Sequence, residues 1–564
     1  MALPTEFVSM KKNKKPSLVL TLSSAGLLIV GGVAAYWLLT RGKPLPRDLL
    51  PGANIIPKDA LFAVSLTTDR GQWQKLQEFG TKETQAELNK NLLQLQERFL
   101  TSNGYDFQKD VSPWVGDQVT IAVLTPQVSK TSSKPVATDA GATENEQSLV
   151  MVLPIENQEA AKNILAQSKA PSGDKWINRT YQNIAIKETS GQSGEKFSAA
   201  ILDEHFLVIT DSPKATEKAI DAYKGQESLA KSAGFAENFP KIATYQPFAQ
   251  FYVNVPYSAK IAAASPNRAL PTQVLAQLQN NQGLAGSLSL ESEGIRLKGV
   301  SWLKPNSQRL LAVENKAGKM QTRVPSETLM MLSGGNLKQL WSDYVLTAQK
   351  NPRSPMMPEQ LREGVKSLTE LDLERDLLSW MGGEFSVAVI PNTPTKGSIE
   401  DFRAAFVFMV QASDRSRAEQ ALKQLDEVMK NQYQFQIKYT TVAGKPVVNW
   451  IAPFGTLTAT HGWMDGDVAF LSVGAPVTAK LLPKPNYTLA STGMFQATVP
   501  REPNPTNGQF FLDVEQASKY FPLPSFLPVP QTWLEATRSI GVTAAVSDSR
   551  STRYDVFLSL KKTK

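Results

Sequence analysis

Apolar and polar positions along this chain fall into blocks that are laid down twice in the same order. Residues 61–66 are a short apolar run suited to a strand. Helical spacing follows, with Trp73, Leu76 and Phe79, then Leu88, Leu92, Leu95 and Phe99 at steps of four, three and four, which give one apolar face. Strand alternation returns at Val119, Ile121 and Val123 and again over 149–153, which leads into an amphipathic stretch over 158–167. The succession restarts at 329–333, passes through Leu340, Trp341 and Tyr344 and then Leu361, Val365 and Leu368, and reaches 406–410 with Ala418, Ala421, Leu422 and Leu425.

Short motifs mark the same duplication. Trp114-Val115-Gly116 ahead of one alternating strand returns as Trp380-Met381-Gly382 ahead of another, and Gln250-Phe251-Tyr252-Val253 returns as Gln509-Phe510-Phe511-Leu512. The offset between equivalents drifts from 268 to 257, so loops of unequal length separate matched elements. Each copy closes on a predicted hairpin: 287–291 with 295–303, and 542–547 with 554–560, across polar turns. We therefore expect an α+β protein of two tandem homologous modules, 52–304 and 322–562, joined by a linker over 305–321. Within each, the order strand, helix, strand, strand, helix, strand is a ferredoxin-like split βαβ succession, extended by further strands of a mainly antiparallel sheet with helices packed on it. One hairpin tip differs: 125–147 is long and polar, whereas 391–401 is short.

Ahead of the modules the pattern changes. Residues 18–39, including Leu18, Leu22, Leu27, Leu28 and Ile29, are apolar apart from Thr21, Ser23 and Ser24. As a helix they would extend roughly 33 Å, enough for a hydrocarbon layer of about 30 Å, with Tyr36 and Trp37 at an interface. A cleaved signal peptide is the competing reading, but the run is longer than its apolar core usually is. The expected order is a basic tail (1–17), a membrane helix (18–39) and a proline-containing stalk (40–51). Four lysines before the span against three basic residues after it (Arg41, Lys43 and Arg47) favour modules on the non-cytoplasmic side by a narrow margin, with the cytoplasmic orientation as the alternative.

Composition narrows the function. At 564 residues, with 41% apolar and 20% charged side chains, the chain has material for two cores and is not a disordered polymer. No cysteine is present, which removes thiol catalysis, disulfides and iron–sulfur clusters. The net charge is +8, but residues 1–47 hold seven basic side chains against one acid, so the modules are nearly neutral and no nucleic acid is expected as partner.

No motif announces chemistry. His205 and His461 fall at different places in the two copies, with no second imidazole nearby, so no metal is expected. Asp465-Gly466-Asp467 reads as a hairpin turn, and a phosphate-binding glycine loop, a nucleophile elbow and a His-Glu-x-x-His helix are all missing. Ser258 with Lys260 and Ser518 with Lys519 differ in spacing. Trp114, Gly116, Trp380 and Gly382 either plug a helix-to-sheet junction or line a ligand groove. Phe526, in the proline-rich stretch 521–530, sits in either a packed loop or a partner-binding segment.

A basic N-terminus, one span, a proline stalk, the strand entries at Pro57 and Pro325 and the paired Trp-x-Gly together resemble a family of cyanobacterial single-span membrane-anchored proteins carrying a domain of unknown function. The resemblance implies an envelope or thylakoid setting, with the modules periplasmic or thylakoid-lumenal, and carries over no catalytic residue. The expected function is a non-catalytic, membrane-tethered scaffold with protein partners, no cofactor, and membrane lipid around its N-terminal helix. An alternative is a binding protein for an apolar ligand such as a lipid or pigment, and a third is a hydrolase built from Asp, Glu, Ser and Lys.

Overall fold

The computed structural model describes residues 50–99, 106–125, 148–166, 175–190, 197–264, 280–307, 310–311, 316–348, 357–392, 403–453, 458–523 and 531–563. The expected membrane helix, 18–39, and Phe526 lie outside the described residues. Among the described residues no helix is long and apolar enough to cross a membrane.

The first ten strands are β1 (Ala60–Thr67), β2 (Gln118–Leu124), β3 (Leu149–Pro154), β4 (Lys175–Tyr181), β5 (Ile184–Ser190), β6 (Ser198–Leu202), β7 (Phe206–Thr210), β8 (Ala249–Asn254), β9 (Asn281–Leu290) and β10 (Gly294–Leu303). The second ten are β11 (Met330–Gly334), β12 (Phe385–Pro391), β13 (Ala404–Gln411), β14 (Gln436–Val442), β15 (Lys445–Ile451), β16 (Thr458–Met464), β17 (Val468–Gly474), β18 (Gly508–Asp513), β19 (Thr537–Asp548) and β20 (Ser551–Leu560). All twenty belong to one sheet, and every pairing in it is antiparallel.

The pairing plan repeats. The first half runs β4-β5-β6-β7-β3-β2-β1-β8-β9-β10, and the second runs β14-β15-β16-β17-β13-β12-β11-β18-β19-β20. The halves meet where β10 pairs β20, from Gly294↔Ser559 to Trp302↔Ser551.

This arrangement corrects the ferredoxin-like expectation. A split βαβ seats its first and third strands side by side, whereas β1 lies between β2 and β8, and β3 lies between β2 and β7. Periodicity reports what kind of element a segment forms, but its partner is set by which apolar faces come into register. Here the chain returns after its helical excursion directly alongside β1, with Ala63 opposite Ala122.

The longer helices are α1 (Arg70–Gln77), α2 (Lys82–Phe99), α3 (Gln158–Ala166), α4 (Pro213–Tyr223), α5 (Val255–Ala264), α6 (Leu337–Ala348), α7 (Pro358–Thr369) and α8 (Arg415–Asn431). Asp69 caps α1 by accepting from Gly71 N–H at 2.7 Å, and Asp414 caps α8 by accepting from Arg417 N–H at 3.0 Å. Because side chains alternate across a strand, the sheet has two apolar faces. The tryptophan face carries Trp114 against Val119, Ile121, Met151 and Ile209, and Trp380 against Phe385, Val410 and Ala469. Between them a shared central core joins Phe62, Val64 and Phe251 of the first half to Phe510, Val542 and Val556 of the second.

The opposite face holds one core per half. Tyr252, Val300 and Trp302 pack with Phe235, Phe239 and α4, while Met331, Val407 and Phe511 pack with Val477, Leu481 and Leu489. Each fully buried phenylalanine there contributes about 1.5–3 kcal/mol. The last residues of the expected stalk are already folded in: Leu50 is fully buried, and the Pro51 carbonyl accepts from Thr120 Oγ1 at 2.6 Å. The end of the linker is likewise held, as Ala317 N–H donates to the Thr506 carbonyl at 3.0 Å.

Candidate functional site

The two halves diverge at one row of the tryptophan face. In the first half, register places Leu66, Ala249 and Leu288 side by side on β1, β8 and β9. Trp73 and Leu76 of α1 cover this row together with Phe248 and Leu290. The Trp73 ring meets Phe248 edge-on at 4.8 Å, and its indole N–H donates to the Thr67 carbonyl at 2.8 Å. The space is filled by the protein's own aliphatic and aromatic side chains.

In the second half the same row is Gly334, Gly508 and Ala544 on β11, β18 and β19. The counterpart of Trp73 is Trp341 on α6, and its indole N–H donates instead to Glu374 Oε1 at 2.9 Å while its ring lies 5.5 Å from Tyr344. Two leucines have become glycine and alanine, and the covering tryptophan has turned to another partner. A groove of about 130 Å³ results, floored by Gly334, Gly508, Ala544 and Val546 and walled by Phe385 and Leu340. The Phe385 ring lies across Gly334, where an added Cβ would come within 2.5 Å of it, so glycine is needed for that wall to stand. Asn336, Gln339, Asp343 and Asn507 supply a polar rim.

A larger cavity, about 600 Å³, spans the two halves near the C-terminus and is lined by Lys82, Arg538, Lys561, Lys562, Glu293 and Glu515. Its charges engage one another, as in Lys562 to Glu293 at 3.4 Å and Lys561 to Glu515 at 3.8 Å.

The residues singled out by sequence are placed elsewhere. Trp114 and Trp380 are each only 2% exposed, and each donates its indole N–H to a carbonyl four residues earlier, Asp110 at 2.6 Å and Asp376 at 3.1 Å. Neither is among the residues lining the groove. At Gly116 an added Cβ would meet side chains at an ordinary contact distance of 3.5 Å, whereas at Gly382 it would crowd Ser413 Oγ at 3.1 Å. The tightest of these contacts falls one residue later, at Gly383, where a Cβ would approach the Gln411 carbonyl oxygen to 2.5 Å.

The histidines also separate. His205 lies in the β6–β7 turn, and its carbonyl accepts from Ile155 N–H at 2.8 Å. Buried His461, on β16, has Nε2 2.7 Å from Asp426 Oδ1 of α8, and the same oxygen accepts from Trp450 Nε1 at 2.6 Å. Among the described residues no group of three or more His, Cys, Asp or Glu is placed to hold a metal ion. The Asp465–Asp467 segment is a hairpin turn, with positive φ at Gly466 and Asp467.

The groove was missed in the sequence because its floor comes from three distant segments. One signal was available: the matched strand entries run to Ser65 and Ser333, and the very next pair is Leu66 against Gly334. No curated protein is similar enough to this chain to match. Among solved structures, crystal form IV of TP0453 is similar at 9% identity, with 45% of this chain and 81% of that one covered and a TM-score of 0.25. Crystal form I of the same protein is similar at 10% identity, with 45% and 79% covered and a TM-score of 0.24. The model of the family described as Protein of unknown function (DUF3352) matches residues 21–560, and the chain belongs to that family.

Proposed function

We propose that this protein is a non-catalytic binding module, built by duplication and tethered to a membrane by residues 18–39, that takes an apolar chain into the groove of its second half. The observation that carries this reading is the replacement of Leu66, Ala249 and Leu288 by Gly334, Gly508 and Ala544 at equivalent register. What fills the row in one half names the chemistry missing from the other: aliphatic carbon. An apolar cavity of about 150 Å³ is enough to hold a benzene-sized guest, so a groove of about 130 Å³ suits one stretch of an alkyl chain. The polar rim favours a ligand whose other end is hydrated, as in a single-chain lipid.

The test uses a fluorescent fatty acid with the full chain in a non-competing detergent. Ala544→Leu with Val546→Leu restores the side chains of Leu288 and Leu290, and we expect probe affinity to fall at least about tenfold with the melting temperature retained. Equal binding by the wild type and the plugged variant would refute the reading. Protease protection of closed vesicles tests the orientation, with the modules expected to be shielded from the cytoplasmic side.

A second reading, a scaffold for protein partners, is supported by the sheet's two ends. Among the described residues β4 and β14 each pair on one side only, and β14 presents Tyr439 at 71% exposure. Such an edge suits addition of a partner strand.

A further inference from the structure

The opposite face of the same three strands carries a second divergence, independent of the apolar groove. Register aligns Ser386, Ser333, Gln509 and Thr543 across β12, β11, β18 and β19. The first half has the matching row Thr120, Ser65, Gln250 and Ser287. There the protein satisfies itself: Thr120 Oγ1 donates to the Pro51 carbonyl, Ser65 Oγ to Gln118 Oε1, and Ser287 bonds Thr244.

In the second half Thr543 still donates to the Pro500 carbonyl. Ser333 Oγ, Ser386 Oγ and Gln509 Oε1, however, are buried with no hydrogen-bond partner among the described residues, and Gln321 Oε1 is in the same state. Ser333 is 1% exposed and Ser386 is fully buried. Neighbours in register lie about 4.5–5.5 Å apart at Cα, so the three strand side chains share one small volume. Gln321 belongs to the segment that wraps this place: Gly318, Lys319 and Met320 donate their N–H groups to Glu384 Oε1 at 2.8, 2.8 and 3.1 Å. Glu384 stands just ahead of β12, two residues before Ser386, and the Gln321 amide N–H donates to the Gly318 carbonyl, which leaves its oxygen as the available group.

We propose that Ser333, Ser386, Gln509 and Gln321 form an oxygen-lined site for a monovalent cation, Na⁺ or K⁺, within the second half. The available groups are two hydroxyl oxygens and two amide oxygens, a hard, oxygen-only set, and four such orphans in a protein interior are costly unless something binds them. The buried carboxylate of Glu384 supplies a negative field that repels an anion and attracts a cation. One carboxylate suits a single positive charge, since calcium sites draw on several.

The experiment follows thermal unfolding of the full chain in detergent, in NaCl or KCl against choline chloride at equal ionic strength. A saturable rise in melting temperature specific to Na⁺ or K⁺ is expected, and Ser333→Ala with Ser386→Ala should abolish it. Gln509→Glu adds a carboxylate to the cage and should lower the half-saturating salt concentration about tenfold. If choline chloride is as effective, or if the double alanine variant keeps the full ion response, ordered water alone satisfies these groups and the site is refuted. Anomalous scattering from crystals soaked in thallium(I) gives a second readout: a peak among the four side chains supports the site, and its absence at saturating thallium overturns it.

Discussion

Asp426 illustrates how a single carboxylate holds an element in place. It lies on the buried face of α8 and bonds both His461 and Trp450, so its removal leaves two ring nitrogens without an acceptor in a closed space. Asp426→Ala should cost about 3–5 kcal/mol, read as a shift in denaturant midpoint; a loss below about 1 kcal/mol would mean water replaces the carboxylate. Asp555 behaves oppositely. Burial between β10 and β19 pushes its carboxyl up to about 6, and Arg296, donating to Oδ2 at 3.2 Å, only partly opposes this. A carboxyl raised in the folded state keeps its proton longer there than in the unfolded chain. Its contribution to stability is therefore full below the ordinary carboxyl value of 3.8 and is lost as pH rises toward 6, by at most about 3 kcal/mol. Asp555→Asn should lack that component, so variant minus wild-type stability should increase between pH 4 and pH 7; a flat difference would contradict the assignment. The glycines after the tryptophans are ranked by the same local reasoning. Gly383→Ala should destabilise by about 1–3 kcal/mol, while Gly116→Ala should cost much less, as measured by chemical denaturation.

At the scale of elements, α1 and α6 are equivalent in sequence pattern yet cover their rows differently. Trp73 closes over Phe248, whereas Trp341 bonds Glu374, which also accepts from Arg362 at 2.7 Å. Glu374→Ala should free Trp341 to fall back over the groove, and we expect lower affinity for an alkyl probe without the plugging substitutions; unchanged affinity would place the cause in the floor alone. Helices and strands were legible because each announces itself within a few residues: Val119 and Ile121 alternate, and Leu88 to Phe99 step by three and four. The groove was not legible, since Gly334, Gly508 and Ala544 become neighbours only when β18 inserts between β11 and β19. The Asp426–His461 pair was hidden for the same reason, as it joins a helix to a strand that packs beneath it.

At the scale of the molecule, the halves are coupled by more than a linker. The β10–β20 ladder is reinforced by Lys241 to Asp548 at 2.9 Å, and the C-terminal segment reaches back so that Thr563 N–H donates to the Glu78 carbonyl at 2.8 Å. A protease site inserted at residues 308–309 should therefore yield two fragments that co-elute in size exclusion after cleavage; separation would show the seam too weak to hold without the covalent link. The chain's own pattern determined the kinds of elements, their order, their twofold recurrence and the absence of thiol chemistry, because those properties live in short windows and in composition. Tertiary structure alone decided which strands are neighbours, that both halves share one sheet, and where the second half leaves an apolar row and a polar row unfilled. Those depend on register between segments hundreds of residues apart, where one Leu-to-Gly difference has no meaning until its neighbours across the sheet are known.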